Sequence, residues 1–300
     1  MASCNTTKSR TVFAMDTVIT IEAESEEIID KIIKSTNKID KSLSFHNQES
    51  DLSKLNFNRS IKTTPILTNC IKIAYDYSLK TQGAFNLALG QITGLYDFEN
   101  KQAPTEEYTK TLLATTNLDN IIFNSESIVL TNATAIDLGG IAKGYALEKA
   151  IKILKEENQK HAYLNFGGSI YYLSDSLKSV GIKKPFSDNE IAAELLIKNL
   201  SVTTAGNYER CFTKDGKLYH HIIDSKTGLP VNNKVSSVTV VSPSAIKGDV
   251  YSTALFVMGK EKGIEFANKN NIAAVFILED GSIHLTNKLT YNKENKIIVK

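Results

Sequence analysis

Two hydrophobic periodicities, one helical and one extended, are interleaved irregularly along this chain, and that irregular order limits the fold more than any other feature. Residues 10–23 carry β-branched and aromatic side chains in partial alternation, the pattern of a strand or a hairpin. Residues 25–43 then place Ile28, Ile29, Ile32, Ile33, Ile39 and Leu43 at amphipathic-helix spacing behind a Ser-Glu-Glu start. A polar turn is expected across 45–56, and helical stretches at 66–80 and 105–115 flank a loop around 83–97. Short strands at 121–123 and 127–130 precede a helix from about 140 to 157. Strands recur at 162–173, 177–182, 192–200, 219–223 and 235–241, followed by a helix pair, 249–258 and 260–268. A strand, an Asp-Gly turn and a strand close the pattern. No regular strand-helix-strand rhythm emerges, so the expected class is α+β, with mixed, mostly antiparallel sheets and packed helices.

With 300 residues and 42% hydrophobic content the chain can bury a large core without help from disulfides. One domain over 11–300 is expected behind a flexible segment at 1–10, with only a weak boundary signal near Leu130. The 35 basic and 33 acidic residues leave a formal charge of +2, too small a field to suggest a nucleic-acid or membrane-surface protein. Cys4, Cys70 and Cys211 lack the close spacing of a zinc or redox pair, and Cys70 reads as a small core residue. Cys4 follows Ser3 near the start. That pairing resembles the end of a bacterial lipoprotein signal lacking its apolar part, and an ordinary exposed cysteine is the competing reading.

Four constellations could carry chemistry. From Asp137 to Tyr145 a strand-like lead meets Gly139-Gly140 and then a helix, so backbone amides could approach a phosphate and Lys143 could add a charge; a glycine-rich turn is the alternative. Asp249 and Thr253 lie four residues apart on a helix, offering hard oxygens suited to magnesium, although Asp249 also reads as an N-terminal cap. His220 and His221 should point to opposite faces of a strand, so at most one addresses a given pocket; the following Asp224 to Gly228 reads equally as acid-base apparatus or a turn. Gly167-Gly168, inside an apolar strand, suggests a close ligand approach or a bulge.

In order and wording these elements resemble the ApbE family of FAD:protein FMN transferases. Met15-Asp16-Thr17 resembles its Met-Gly-Thr element, Ser50 to Asn56 its Ser-x-Leu-Ser-x-Leu-Asn element, and Gly83-Ala84-Phe85-Asn86 its Gly-x-Phe-Asp segment. The segments 137–145, 165–168, 204–210, 221–228 and 249–255 follow in family order. The resemblance implies a T-fold-related α+β architecture with FAD as substrate and Mg2+ at its pyrophosphate. It implies Mg2+ ligation by Asp249, Thr253 and the carbonyl of Gly140. It implies an FAD site lined by Met15, Phe45, Ala84, Phe85, Asn86, Asp137, Lys143 and the backbone near Ile222, with His221 activating an acceptor threonine. The partner would be an acceptor flavoprotein outside the cytoplasm, with a lipid at Cys4 as the membrane link. An FAD pyrophosphatase yielding FMN and AMP, and a non-catalytic FAD-binding lipoprotein, are the competing readings. Asn86, Ser169, Ala205, Asn207 and Tyr96 depart from the family pattern, with Asn86, Ser169 and Asn207 standing where acids are usual.

Overall fold

The computed structural model describes residues 7–300, so Cys4 and the anchor expected there lie outside the described residues. The helices among these residues are α1 (Glu26–Leu43), α2 (Asp51–Asn58), α3 (Pro65–Lys80), α4 (Gly90–Thr93), α5 (Glu106–Thr111), α6 (Ala142–Glu156) and α7 (Ala245–Lys269). The first strands are β1 (Lys8–Ala14), β2 (Thr17–Ala23), β3 (Ser60–Lys62), β4 (Ile121–Phe123), β5 (Ser127–Leu130), β6 (Ala162–Phe166), β7 (Ser169–Leu173) and β8 (Lys178–Lys183). The remainder are β9 (Ile191–Ile197), β10 (Ser201–Gly206), β11 (Cys211–Lys214), β12 (Lys217–His220), β13 (Val235–Ser242), β14 (Ala273–Leu278), β15 (Ile283–Leu285), β16 (Leu289–Tyr291) and β17 (Ile297–Val299).

Eight strands form the main sheet in the order β1-β2-β6-β7-β10-β13-β14-β15, every neighbouring pair antiparallel. A four-stranded sheet, β16-β17-β9-β8, contains a parallel pair, β17 with β9. Smaller sheets are β3-β5-β4 and the β11–β12 hairpin. The α+β class expected from the interleaved periodicities is the class observed.

Burial follows the strand alternation. Ile19 and Ile21 of β2 and Leu164 and Phe166 of β6 point to one face, where they meet Ile29 and Ile32 of α1, Ile71 of α3 and Leu147 of α6. Farther along the same sheet, Val238 and Val240 of β13 and Phe276 of β14 pack under Leu255 and Phe256 of α7. The opposite face carries Val202, Val241, Val275 and Ile277, sealed by Val180, Ile182 and Leu195 of the four-stranded sheet. All eight residues of β13 are therefore buried, because both of its faces are covered. Cys70 is fully buried, as expected of a core residue. Among the described residues no helix is long and apolar enough to cross a membrane.

Several local expectations change. The polar turn expected at 45–56 gives way from Asp51 to α2, whose cap is Ser50, its hydroxyl accepting the Ser53 N–H at 2.9 Å. Its buried apolar residues are Leu52 and Leu55, too short a series for a helical period to be read. The apolar strand at 162–173 is a hairpin. Gly167 (φ 60°) and Gly168 (φ 92°) form its two-residue turn, where positive φ at both positions matches the twist of the flanking strands. The helix pair is one element broken at Gly259, and it starts earlier than expected, at Ala245. Its cap is Ser244, so Asp249 sits inside the helix and is not a cap.

Candidate active site

Helix α2 acts as a bracket for the site. Ser50, Ser53 and Asn56 recur every three residues, which places them on neighbouring parts of one helical surface. The Ser50 hydroxyl donates to the Ser44 carbonyl at 2.6 Å, and the Ser53 hydroxyl donates to the Phe45 carbonyl at 3.0 Å. At the other end the Asn56 amide pairs with Ile136 in both directions, donating to its carbonyl and accepting its N–H, each at 2.8 Å. One short helix thus fixes the backbone beside Phe45 and the backbone that delivers Asp137. The Asp137 carboxylate accepts the Gly139 N–H at 2.8 Å and the Thr93 hydroxyl at 2.7 Å, so it holds the glycine turn in place.

Helices α6 and α7 approach closely beyond that turn. A Cβ at Gly144 would lie 2.6 Å from both the Ala245 carbonyl oxygen and the Asp249 Cβ, contacts that no side chain tolerates. The Gly144 N–H donates to Asp249 Oδ2 at 2.7 Å. Gly140 lies nearby, its Cβ direction ending 3.4 Å from Thr253 Oγ1. Gly144→Ala should push the helices apart and destabilise the fold by about 2 kcal/mol, in the range of overpacked cores. A melting temperature equal to wild type would refute the close-approach argument.

One cleft of about 640 Å3 is lined by every residue that the sequence assigned to the site: Met15, Phe45, Ala84, Phe85, Asn86, Asp137, Gly140, Lys143, His221, Ile222, Asp249 and Thr253. Its size suits a cofactor-sized ligand. Met15 and Asp16 form the β1–β2 turn with left-handed φ values of 55° and 57°, and Asp40 accepts the Met15 N–H at 3.1 Å. Asp40, Lys183, Tyr208 and Arg210 also line the cleft. Asp40 gave no signal, being one polar position on an amphipathic helix; Lys183 comes from β8, which no motif marked.

Not every assigned residue presents a free polar group. The Asn86 side chain accepts the Ala88 N–H at 2.8 Å and donates to the Thr116 carbonyl at 3.0 Å. That second bond needs an N–H donor, which an ionised aspartate lacks, so the asparagine in place of the usual acid suits its surroundings here. The Ile222 N–H faces His220 Nδ1 at 3.3 Å, and its carbonyl accepts the Val231 N–H at 3.1 Å. Ile222 lines the cleft with its backbone already committed. Asp224 accepts the Lys226 N–H at 2.9 Å in a turn and lies outside the cleft lining, so the turn reading is the one observed.

The two histidines separate at the end of β12, and not within a strand as expected: His220 is its last residue and His221 lies in the bend beyond it. His220 is buried against Phe256, and its Nε2 donates to the Val231 carbonyl at 2.9 Å. His221 faces the cleft, with Nδ1 3.4 Å from the Arg210 carbonyl, which orients the ring and leaves Nε2 for chemistry. Burial, reinforced by the positive charges of Lys143 and Arg210, pushes the His221 pKa down to about 3, so the ring is neutral across the physiological range. Water touches part of the residue, yet protein atoms crowd the imidazole, and that crowding dominates. Asp249 is shifted the opposite way: burial raises its pKa, against the pull of Lys143 and the Gly144 N–H. Lys143 therefore stands within electrostatic reach of both groups.

Gly140, Asp249 and Thr253 offer a carbonyl, a carboxylate and a hydroxyl, a hard-oxygen set that fits a magnesium-like ion sharing its remaining positions with phosphate oxygens and water. Among the described residues no three His, Cys, Asp or Glu side chains gather as a metal cluster. The donor set nevertheless fits, because Mg2+ is commonly held by one or two carboxylates plus substrate phosphates.

Fold and cleft together define a cofactor-sized cleft walled by a two-helix clasp and the main antiparallel sheet, its lining offering hard oxygens beside Lys143. The chain belongs to the ApbE family, which it matches over residues 15–276. A Klebsiella pneumoniae relative named FAD:protein FMN transferase is 35% identical over 73% of this chain and 70% of its own length. A Haemophilus influenzae relative of the same name is 28% identical over 91% of this chain and 86% of its own. Among solved structures, the ApbE protein of Thermotoga maritima superposes with a TM-score of 0.87 at 30% identity, covering 94% of this chain and 97% of its own. The flavin transferase ApbE from Vibrio cholerae, at 23% identity and a TM-score of 0.81, covers 94% of this chain and 97% of its own, and shares the fold.

Proposed function

We propose that this protein transfers FMN from FAD to a threonine hydroxyl of an acceptor flavoprotein, releasing AMP, with Mg2+ held by Asp249, Thr253 and the Gly140 carbonyl. The observation that carries this reading is the position of Lys143, in a single cleft, within electrostatic reach of both the buried Asp249 and the neutral His221. The names of the relatives supply the substrate pair.

The acceptor oxygen attacks the FMN-side phosphorus, forming a new P–O bond. The bridging P–O bond breaks, and its electron pair leaves with the AMP phosphate. Bound Mg2+ would stabilise the charge gathering on the phosphate oxygens. Lys143 contributes a fixed positive charge at the same oxygens. His221 Nε2 takes the hydroxyl proton. Its pKa is low first because burial strips the ring of water and then because Lys143 and Arg210 add positive charge, so an anionic pyrophosphate set between these cations offsets the second cause and raises its basicity. An extracytoplasmic setting with a lipid at Cys4 belongs to the same proposal and is tested by the mass of protein extracted from membranes.

The test is mass spectrometry of the protein with FAD, Mg2+ and an acceptor domain carrying the target threonine. A covalent flavin adduct with matching AMP is the expected result. AMP and FMN released at the same rate without acceptor would make the enzyme a pyrophosphatase, and FAD left intact would make it a binding protein.

A further inference from the structure

Glu148 lies outside the cleft lining, yet its carboxylate joins the two helices that build the site. It is half-buried on α6, and its Oε2 accepts the Ala245 N–H at 2.6 Å, the Ser244 hydroxyl at 3.0 Å and the Ile246 N–H at 3.4 Å. The first N–H groups of a helix have no partner within it. Here α7 borrows two of those partners from α6, while its own cap, Ser244, reaches only the Lys247 N–H, at 3.4 Å.

Asp249 returns the link, accepting the Gly144 N–H of α6 at 2.7 Å. Gly144 and Glu148 are four residues apart on α6, as Ala245 and Asp249 are on α7. Each pair therefore occupies one helical face, and the two faces meet as a double clasp. One carboxylate crosses in each direction, and one turn of helix separates the crossings.

We propose that Glu148 is a positioning residue for the cation-holding pair Asp249 and Thr253, fixing the start of α7 so that both side chains meet Gly140 and Lys143 in register. The inference rests on the metal site of the proposed function. Without Glu148 the first turn of α7 loses its anchor on α6, and Asp249 is held by its single bond to Gly144. Partners of this kind commonly change metal affinity by 10- to 100-fold.

The experiment measures Mn2+ binding by electron paramagnetic resonance in full-length protein with FAD and no acceptor, alongside FAD affinity without metal and a melting curve. Glu148→Ala should weaken Mn2+ binding about tenfold or more while FAD affinity without metal stays within about twofold. Glu148→Gln keeps an oxygen for the Ala245 N–H and should weaken Mn2+ binding only about threefold. Mn2+ affinity unchanged in Glu148→Ala, or an equal loss of FAD and Mn2+ affinity, overturns the proposal. If the alanine variant does not melt cooperatively, the glutamine variant decides: threefold weakening supports the proposal and wild-type affinity overturns it. Wild-type protein that binds no Mn2+ removes the metal reading itself, an outcome distinct from failure of the Glu148 inference.

Discussion

Asp249→Asn is expected to cut flavin transfer steeply and, in the same protein without metal, to raise the melting temperature. The two effects have one cause. Burial pushes the Asp249 pKa up, which means that the folded state disfavours its charge. A group with a raised carboxyl pKa subtracts stability as pH climbs from the ordinary carboxylate range through the raised value, and the loss is complete above it. At neutral pH an asparagine removes that cost, and its amide oxygen still accepts the Gly144 N–H. The gain should be on the order of 1 kcal/mol, or about 1–2 °C for a chain of this length. Transfer should fall about 10³-fold, the scale on which loss of one preorganised charge-stabilising contact is felt. Differential scanning calorimetry in chelator and an adduct assay in Mg2+ check the two halves. A less stable variant would show that the carboxylate is a structural ion, and retained transfer would move the cation elsewhere.

The second large effect concerns His221. His221→Ala should slow transfer by about 10²- to 10⁴-fold, the usual contribution of a general base, while FAD affinity changes little. An independent signature lies in stability. The depressed pKa of His221 keeps it neutral in the folded state, whereas the unfolded chain takes up a proton below about pH 6.5. Stability from this group is therefore lost as pH falls from about 6.5 toward the folded value of about 3. His221→Ala lacks that loss, so the gap between wild-type and variant melting temperatures should shift in the variant's favour between pH 7.5 and pH 5. His220, also lowered by burial, remains in both proteins and adds the same slope to each. Parallel curves for the two proteins would mean that the His221 ring is not desolvated.

Elements with long periodicity were legible. Helix α1 shows its apolar stripe over 18 residues, and the sequence places it within a residue of its observed limits. Short elements were not. Helix α2 buries Leu52 and Leu55 but depends on Ser50 and Asn56, whose partners at Ser44 and Ile136 come from other parts of the chain. Strand β10 was missed because Ser201 to Gly206 has Val202 as its one large apolar residue among small and polar ones, and its burial comes from the elements stacked on either side.

The sequence by itself determined the α+β class, the family, and a set of twelve residues that share one cleft. The class came from interleaved periodicities and the residue set from the ordered motifs that resemble the ApbE family; paired glycines, an Asp and a Thr four apart, and neighbouring histidines are the part written locally. Only the tertiary structure decided which local readings hold. Asp249 is a helix cap or a cleft carboxylate depending on where α7 starts, and that start is set by Ser244 and by Glu148 reaching across from α6. His221 and not His220 faces the cleft because His220, the last residue of β12, packs against Phe256 of α7 while the chain bends at His221. Asn86 can stand where the family usually has an acid because its amide meets the Thr116 carbonyl, 30 residues away in the chain. In each case the deciding partner is distant in sequence, and a contact between distant segments leaves no local pattern to read.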